Sequence, residues 1–416
     1  MKRIIERILK FLTVSYIKKN NPEIIAITGS VGKTTTRKAI TYVLGKRYSV
    51  RSFEEHSYNT EIGVPLSVFG KKIPNYRMLW ILVIFGCVWE LFFGKKYDIL
   101  ILEMGADKPG DISYFLNFIR PKVSVVTRVT AAHMDGFKSI DNILAEKSKI
   151  VKILKKEDMA ILNGDDSLIL PLAKEIQSNV ITYGLSQDND IYAKNIKYSD
   201  KGLNCIISIM GREYNFSPKI LGEHSLYSLL AAVCVGVKFK IEDKEIISYL
   251  LDFRPVKGRM NLISGVRDTL IIDDSYNANP VSMIKALETL SNVAKKRRVA
   301  VLGTMNELGS YSESGHKEVG QKIKEFVDIL VTVGDGGKII AEEAIKSGFP
   351  EENVYIRGVS DDAGNVLKGI IDKSDTVLFK GSQNKVMLER AIFKIMKYPK
   401  TANSVLVRQT RRWIEK

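Results

Sequence analysis

One recurring unit limits what this chain can fold into: a short, almost wholly apolar run, closed by glycine or a polar residue and followed by a helical pattern. It occurs at 23–29 (EIIAITG), 97–105 (YDILILEMG), 122–129 (KVSVVTRV) and 158–164 (DMAILNG). Apolar runs without polar alternation suit strands covered on both faces, which means a parallel sheet between layers of helix. Residues 190–217 alternate instead and read as an antiparallel hairpin appendage. Pro255 and Gly258 break the periodicity, and strand–helix alternation restarts beyond them in TLIIDDSY, RVAVLGTM, ILVTVGD and TVLFKGS. The expectation is an α/β chain in three parts. A basic amphipathic segment, 1–22, precedes a doubly wound central domain, 23–258, and a smaller Rossmann-like C-terminal domain, 259–416.

Composition narrows the class further. With 416 residues, 45% hydrophobic and 26% charged, the chain is globular and long enough for two or three cores. Cys87, Cys205 and Cys234 lie too far apart for a CxxC pair, so neither a disulfide framework nor a structural zinc site is expected. Net charge is +16, concentrated at the ends: six Lys/Arg against one Glu in 1–20, and nine against two in 385–416. Such ends suit an anionic partner or are simply solvated faces. The few aromatic residues within them do not read as stacking platforms, so nucleic acid is not an expected partner.

Two segments bear on membranes. The opening residues place Ile4, Ile8, Phe11 and Leu12 on one helical face, with Glu6 and Lys10 breaking any secretory core. Residues 78–93 (MLWILVIFGCVWELFF) carry only Glu90 as a charge, yet fall short of the roughly 20 residues a crossing needs. A buried or interfacial helix is expected there.

The strongest local signal is Thr28-Gly29-Ser30-Val31-Gly32-Lys33-Thr34-Thr35, directly after the first apolar run. A glycine loop opening a helix aims backbone N–H groups at phosphate oxygens, the lysine reaches the outer phosphates, and the first threonine can ligate Mg²⁺. Ile27 stands where the usual P-loop has its first glycine. Glu103 closes an apolar strand, where a carboxylate can also hold Mg²⁺.

The TGxxGKTT loop resembles that of the Mur ligases, ATP-dependent amide-forming enzymes of peptidoglycan-precursor synthesis, and further segments follow in family order. Asn59 to Pro65 (NTEIGVP), Leu102 to Ala106 (LEMGA), Ala131 to Phe137 (AAHMDGF), Asp273 to Pro280 (DDSYNANP), Leu302 to Gly309 (LGTMNELG) and Lys380-Gly381-Ser382 all resemble the D-alanyl-D-alanine-adding branch. That resemblance implies ATP bound by residues 28–35 and by Arg259, Asp274 and Asn277 across a cleft. It implies two Mg²⁺ ions held through Thr34, Glu103, His133 and a carbamylated Lys147, with Lys33, Glu103, His133 and Lys147 as the catalytic set. Asn59, Asn279, Lys380 and Ser382 would face substrate, although Asn277 and Asn279 read equally well as turn residues. The implied partners are a muramyl-peptide or related acceptor and an amino acid or dipeptide. The implied setting is the cytoplasm, as a monomer.

Departures from the family pattern qualify the substrate. Only about two dozen residues precede the first strand, too few for the family's UDP-holding domain, so a lipid-linked or other acceptor stays open. Ser225 and Ser228 replace asparagines of the adenine pocket, and Thr304 and Gln383 replace an Asp and an Arg near the amine site. The 78–93 insert, atypical at its position, reads either as contact with the inner membrane face or a lipid-linked substrate, or as a packing helix. Rival readings are a folylpolyglutamate synthase, disfavoured by the NANP and LGTMNELG segments, and a lipid-acting amidase subunit, whose cysteine-rich zinc insertion is absent. A non-catalytic nucleotide-binding scaffold would not need the full metal set.

Overall fold

The first sheet is built on β1 (Glu23–Thr28), whose apolar residues are buried almost end to end. Around it lie β2 (Val50–Ser52), β3 (Ile99–Glu103), β4 (Val123–Val126), β5 (Met159–Asn163), β6 (Asn179–Gly184), β7 (Ile191–Ser199), β8 (Gly202–Ile209) and β9 (Arg212–Phe216). The computed structural model describes residues 2–53, 60–74, 76–130, 134–199, 201–306, 308–383 and 385–409. Among them the sheet runs β2-β3-β1-β4-β5-β6-β7-β8-β9. Strand β1 pairs in parallel with β3 on one side and β4 on the other, placing Ala26 between Leu102 and Ser124. The chain leaves β1 for β2 and β3 and then crosses to β4, so the carboxyl end of β1 is a topological switch point, where open α/β sheets bind ligands. The expected hairpin appendage is the β7–β9 extension, with β8 and β9 antiparallel.

Contacts divide the chain into two units: Met1–Ile196 with Cys205–Pro218 and Glu223–Phe253, and Lys197–Asn204 with Lys219–Gly222 and Arg254–Lys416. In the first, Ile24, Ala26, Leu100 and Leu102 enter one core, and Ile25, Ile27 and Ile101 alternate to the opposite face. The helix Lys2–Asn20 corrects the expected stripe. Ile5, Leu9, Leu12 and Tyr16 are buried, whereas Ile4 and Phe11 are exposed. Spacing alone allowed either registration. Tyr16 decides it by setting its ring edge-on to Phe69, 5.5 Å between centroids.

Residues 80–93 form one helix, Trp80–Phe93. Its inner side buries Cys87 and Leu91 and packs Trp80, Val83, Ile84 and Val88 against the core, while Glu90 pairs inward with Arg51. Its outer side leaves Leu82 66%, Phe85 65%, Trp89 55% and Phe93 71% exposed. No described helix is long and apolar enough to cross a membrane. All three cysteines are free and buried.

The second unit carries β10 (Asn261–Ser264), β11 (Leu270–Asp274), β12 (Arg298–Gly303), β13 (Ile329–Val333), β14 (Val354–Arg357) and β15 (Thr376–Lys380). Their order is β10-β11-β15-β12-β13-β14, with β10 antiparallel to β11 and the other pairings parallel. Alternate residues feed two cores: Ile272, Ala300, Leu302 and Leu378 on one face, Ile271, Val299, Val301 and Phe379 on the other.

Candidate active site

The loop after β1 is held by the strand beside it. Ser30 N–H donates to the Arg128 carbonyl at 2.6 Å, and the Thr127 hydroxyl donates to the Val31 carbonyl at 2.6 Å. Gly29 has φ +149° and lies so close to β4 that a Cβ would sit 2.0 Å from Thr127 Oγ1 and 3.1 Å from Arg128 backbone atoms. Gly32, at φ 87°, opens the helix Lys33–Leu44 without a side-chain cap. That helix therefore presents uncapped N–H groups and the positive end of its dipole at the switch point, the arrangement that binds phosphate.

Three side chains add charge around this terminus. Lys33 Nζ folds back on the Gly29 carbonyl at 2.8 Å. The Thr34 hydroxyl lies 3.1 and 3.3 Å from the carboxylate oxygens of Glu103 at the end of β3. Buried Arg37 stands 3.5 Å from the same carboxylate and also donates to Ser52 Oγ at 2.8 Å. Lys147, on the helix Ile140–Lys152, is 2% exposed. Burial, and then the Lys33 ammonium, push its amine down to about 7 against the pull of Asp107 and Glu146. A lysine that is about half neutral near pH 7 can act as a nucleophile.

Further groups hold this arrangement in place. Asn163, at the end of β5, donates to the Thr127 carbonyl at 2.8 Å. Glu146 accepts from the Gly110 and Ile112 N–H groups at 3.0 and 2.8 Å and from Lys149 at 2.6 Å. Burial acts to raise its pKa, but these donors outweigh it and hold the carboxyl low. Ser228 is buried and accepts the Thr36 hydroxyl at 3.1 Å. None of Arg37, Thr127, Glu146 and Asn163 stands out in the sequence, because most of their partners are distant: Arg37 meets Ser52, Thr127 meets Val31, Glu146 meets Gly110 and Ile112, and Asn163 meets Thr127. The one available signal lay at the strand ends, where Thr127 follows and Asn163 closes an apolar run; Arg37 and Glu146 sit in helices already rich in polar residues.

In the second unit, Asp274 at the end of β11 is paired with buried Lys380 at the end of β15, and Lys380 also donates to the Asn277 carbonyl at 3.1 Å. The neighbouring Asp273 is fully buried. Burial pushes its carboxyl up to about 6, although Ser275 donates to it from both N–H and Oγ. Arg259 stacks on the Tyr276 ring, 4.5 Å to its centroid, and its Nε is buried with no hydrogen-bond partner among the described residues. Ser382 Oγ accepts from Asn306 N–H at 2.9 Å. The Asn279 side chain caps the helix Pro280–Val293, accepting from Ser282 N–H at 2.8 Å. Thr304 Oγ1 accepts from Gly336 N–H at 3.1 Å, at the start of the next helix. His316, unremarked in the sequence, accepts the Met305 N–H at Nε2 (2.9 Å) and faces the Ser312 carbonyl through Nδ1 (2.6 Å).

The structure thus brings residues 28–35, Glu103 and Lys147 together in one unit, and Arg259, Asp274, Asn277, Lys380 and Ser382 to the carboxyl-end region of the other sheet. Asn59 and His133 lie outside the described residues.

Comparison with known proteins agrees with this division. Residues 27–236 match the Mur ligase middle domain, and residues 258–383 match the Mur ligase glutamate ligase domain. The UDP-N-acetylmuramoyl-tripeptide–D-alanyl-D-alanine ligase of Bacillus subtilis is 31% identical over 395 residues, 94% of this chain and 79% of that one. The enzyme of the same name from Haemophilus influenzae is 27% identical, covering 89% of this chain and 76% of its own. Among solved structures, the MurF ligase of Thermotoga maritima in complex with ADP superposes with a TM-score of 0.77 at 24% identity, over 96% of this chain and 84% of that one.

Proposed function

Because the chain belongs to the Mur ligase family, we propose that it joins the tripeptide carboxylate of a muramyl-peptide acceptor to the amine of D-alanyl-D-alanine, with cleavage of ATP to ADP and phosphate. It is an ATP-dependent ligase of the D-alanyl-D-alanine-adding type. The observation that carries the active-site assignment is the uncapped, cation-flanked terminus of Lys33–Leu44 at the switch point, with Thr34 facing Glu103.

The acceptor carboxylate attacks the γ-phosphorus of ATP, forming an acyl phosphate and releasing ADP. The dipeptide amine then adds to the acyl carbon, loses its proton, and the tetrahedral intermediate collapses to amide and phosphate. Amides of residues 29–35 hold the phosphate chain, and Lys33, on leaving the Gly29 carbonyl, meets the charge that grows on the transferring group. Arg37 keeps Glu103 aimed at Thr34. In the second unit, Lys380 fixes Asp274, whose other oxygen can accept ribose hydroxyls, and Arg259 offers an unsatisfied Nε to an anion.

Mg²⁺ fits these residues. Thr34 and Glu103 converge as hard oxygen donors, and Lys147 is neutral enough near pH 7 to add to CO₂, losing a proton to become a carbamate. Thr34 and Glu103 would hold one ion, with Lys147 and His133 serving a second. When bound, the ions neutralise charge on the phosphoryl oxygens. We assign the working state as a monomer.

A second reading, that the acceptor is carried on a lipid, is favoured by the exposed apolar side of Trp80–Phe93. One experiment separates the readings: phosphate release and amide formation with UDP-linked and lipid-linked muramyl tripeptides, using an acceptor labelled with ¹⁸O in its carboxylate. The expected result is release that needs ATP, acceptor and D-alanyl-D-alanine together, with ¹⁸O recovered in phosphate. Release of unlabelled phosphate without acceptor, and no amide, overturns the ligase reading.

A further inference from the structure

The helix Trp80–Phe93 has two faces of unequal fate. Its inner face is spent on the core, and its one charge, Glu90, is turned inward onto Arg51. The outer face is left with Ile81, Leu82, Phe85, Trp89, Phe92 and Phe93, all exposed and recurring at three- and four-residue intervals. A contiguous apolar stripe with no charge in it is not ordinary surface. We propose that this face, with the basic residues around it, docks peripherally on an anionic lipid bilayer.

Charge argues for that occupant. Exposed Arg77 precedes the helix, and exposed Lys95 and Lys96 follow it. Residues 71–96 hold five Lys/Arg against Glu90 alone. The neighbouring helix Lys2–Asn20 adds exposed Arg3, Arg7 and Lys18, with the outward Ile4 and Phe11 among them. Its Lys19 donates to the Leu91 carbonyl at 2.9 Å and lies 5.2 Å from the Phe92 ring centroid, so a cation sits where the apolar stripe ends. Apolar burial combined with basic residues at the rim is what holds interfacial helices on acidic lipid. Fourteen residues span about 21 Å at 1.5 Å each, enough to lie in the interface and too short to cross it. A second copy seated face to face would instead bring two basic rims together, because an isologous contact sets the same patch against itself and both ends of the stripe are basic. The surface lies wholly within the first unit and does not depend on the ligase reading.

The test is flotation of the full chain with phosphatidylcholine vesicles and with vesicles containing equal parts of phosphatidylglycerol. Binding to the anionic vesicles should be roughly tenfold tighter or more and should fall as salt rises. The triple variant Leu82→Ser, Phe85→Ser, Trp89→Ser should lose roughly tenfold or more of it with an unchanged circular dichroism spectrum. Trp80 is left in place because it packs inward. The pair Lys95→Glu and Lys96→Glu, both at exposed positions, should weaken binding without the triple change. Three results overturn the proposal: no flotation with anionic vesicles at low salt, flotation indifferent to both sets of substitutions, or a dimer in analytical ultracentrifugation that the triple variant converts to monomer.

Discussion

Lys33, Glu103 and Lys147 show how much a single side chain here depends on its surroundings. On the proposed mechanism, alanine at Lys33 removes the cation that meets the transferring phosphoryl group and alanine at Glu103 removes an oxygen donor for Mg²⁺, so each should lower turnover by roughly 10³-fold, read as phosphate release at saturating substrates. Lys147→Ala should be similarly impaired and partly restored by short carboxylic acids that replace a carbamate oxygen; full activity without rescue would mark the lysine as ordinary. His316 gives a stability prediction. Burial depresses its pKa, opposed by its bond to the Ser312 carbonyl. The unfolded chain therefore binds more protons below about pH 6.5, so this contribution is present above that pH and is lost as pH falls through the lower folded value. Denaturant midpoints should drop on acidification. His316→Gln should flatten that dependence while costing about 1–3 kcal/mol at neutral pH, because Met305 N–H is left buried without its acceptor.

At the scale of elements, the loop and the strand beside it act as one part. Gly29→Ala places a methyl against Thr127 Oγ1 and the Arg128 backbone at a φ that side chains rarely adopt, a strain of about 1–3 kcal/mol. ATP affinity by titration calorimetry should fall markedly while the far-ultraviolet spectrum holds. This loop was legible in the sequence, as were the strands with unbroken apolar runs, because local rules decide them: apolar continuity, glycines at a turn, and a lysine at a helix start; the short or half-buried β2, β6, β10 and β14 were not. The registration of Lys2–Asn20 was not, since two stripes fit its spacing and only Phe69, some fifty positions on, chooses between them. Nor were Arg37 and Glu146, whose charges look solvated until the fold supplies partners. Asn279 shows a third limit: an asparagine before a proline-led helix can cap it or turn the chain, and only the fold shows the Ser282 N–H that it accepts.

For the whole molecule, each unit has its own sheet and core, so thermal unfolding should depart from a single two-state transition in calorimetry. ATP with Mg²⁺ at about 100 times its dissociation constant should stabilise the transition of the first unit by about 2.7 kcal/mol, and chelation should abolish that shift. The buried cysteines give this experiment a chemical counterpart. All three lie in the first unit, and burial pushes the Cys87 and Cys205 thiols up to about 12 and Cys234 well above its ordinary value. A folded chain should therefore resist alkylation, since only the thiolate reacts. Each sulfur becomes a clock for the opening of its own neighbourhood: Cys87 for the lifting of Trp80–Phe93, Cys205 for the hairpin extension, Cys234 for the helix against Lys33–Leu44. The second unit, with no cysteine to label, stays silent throughout.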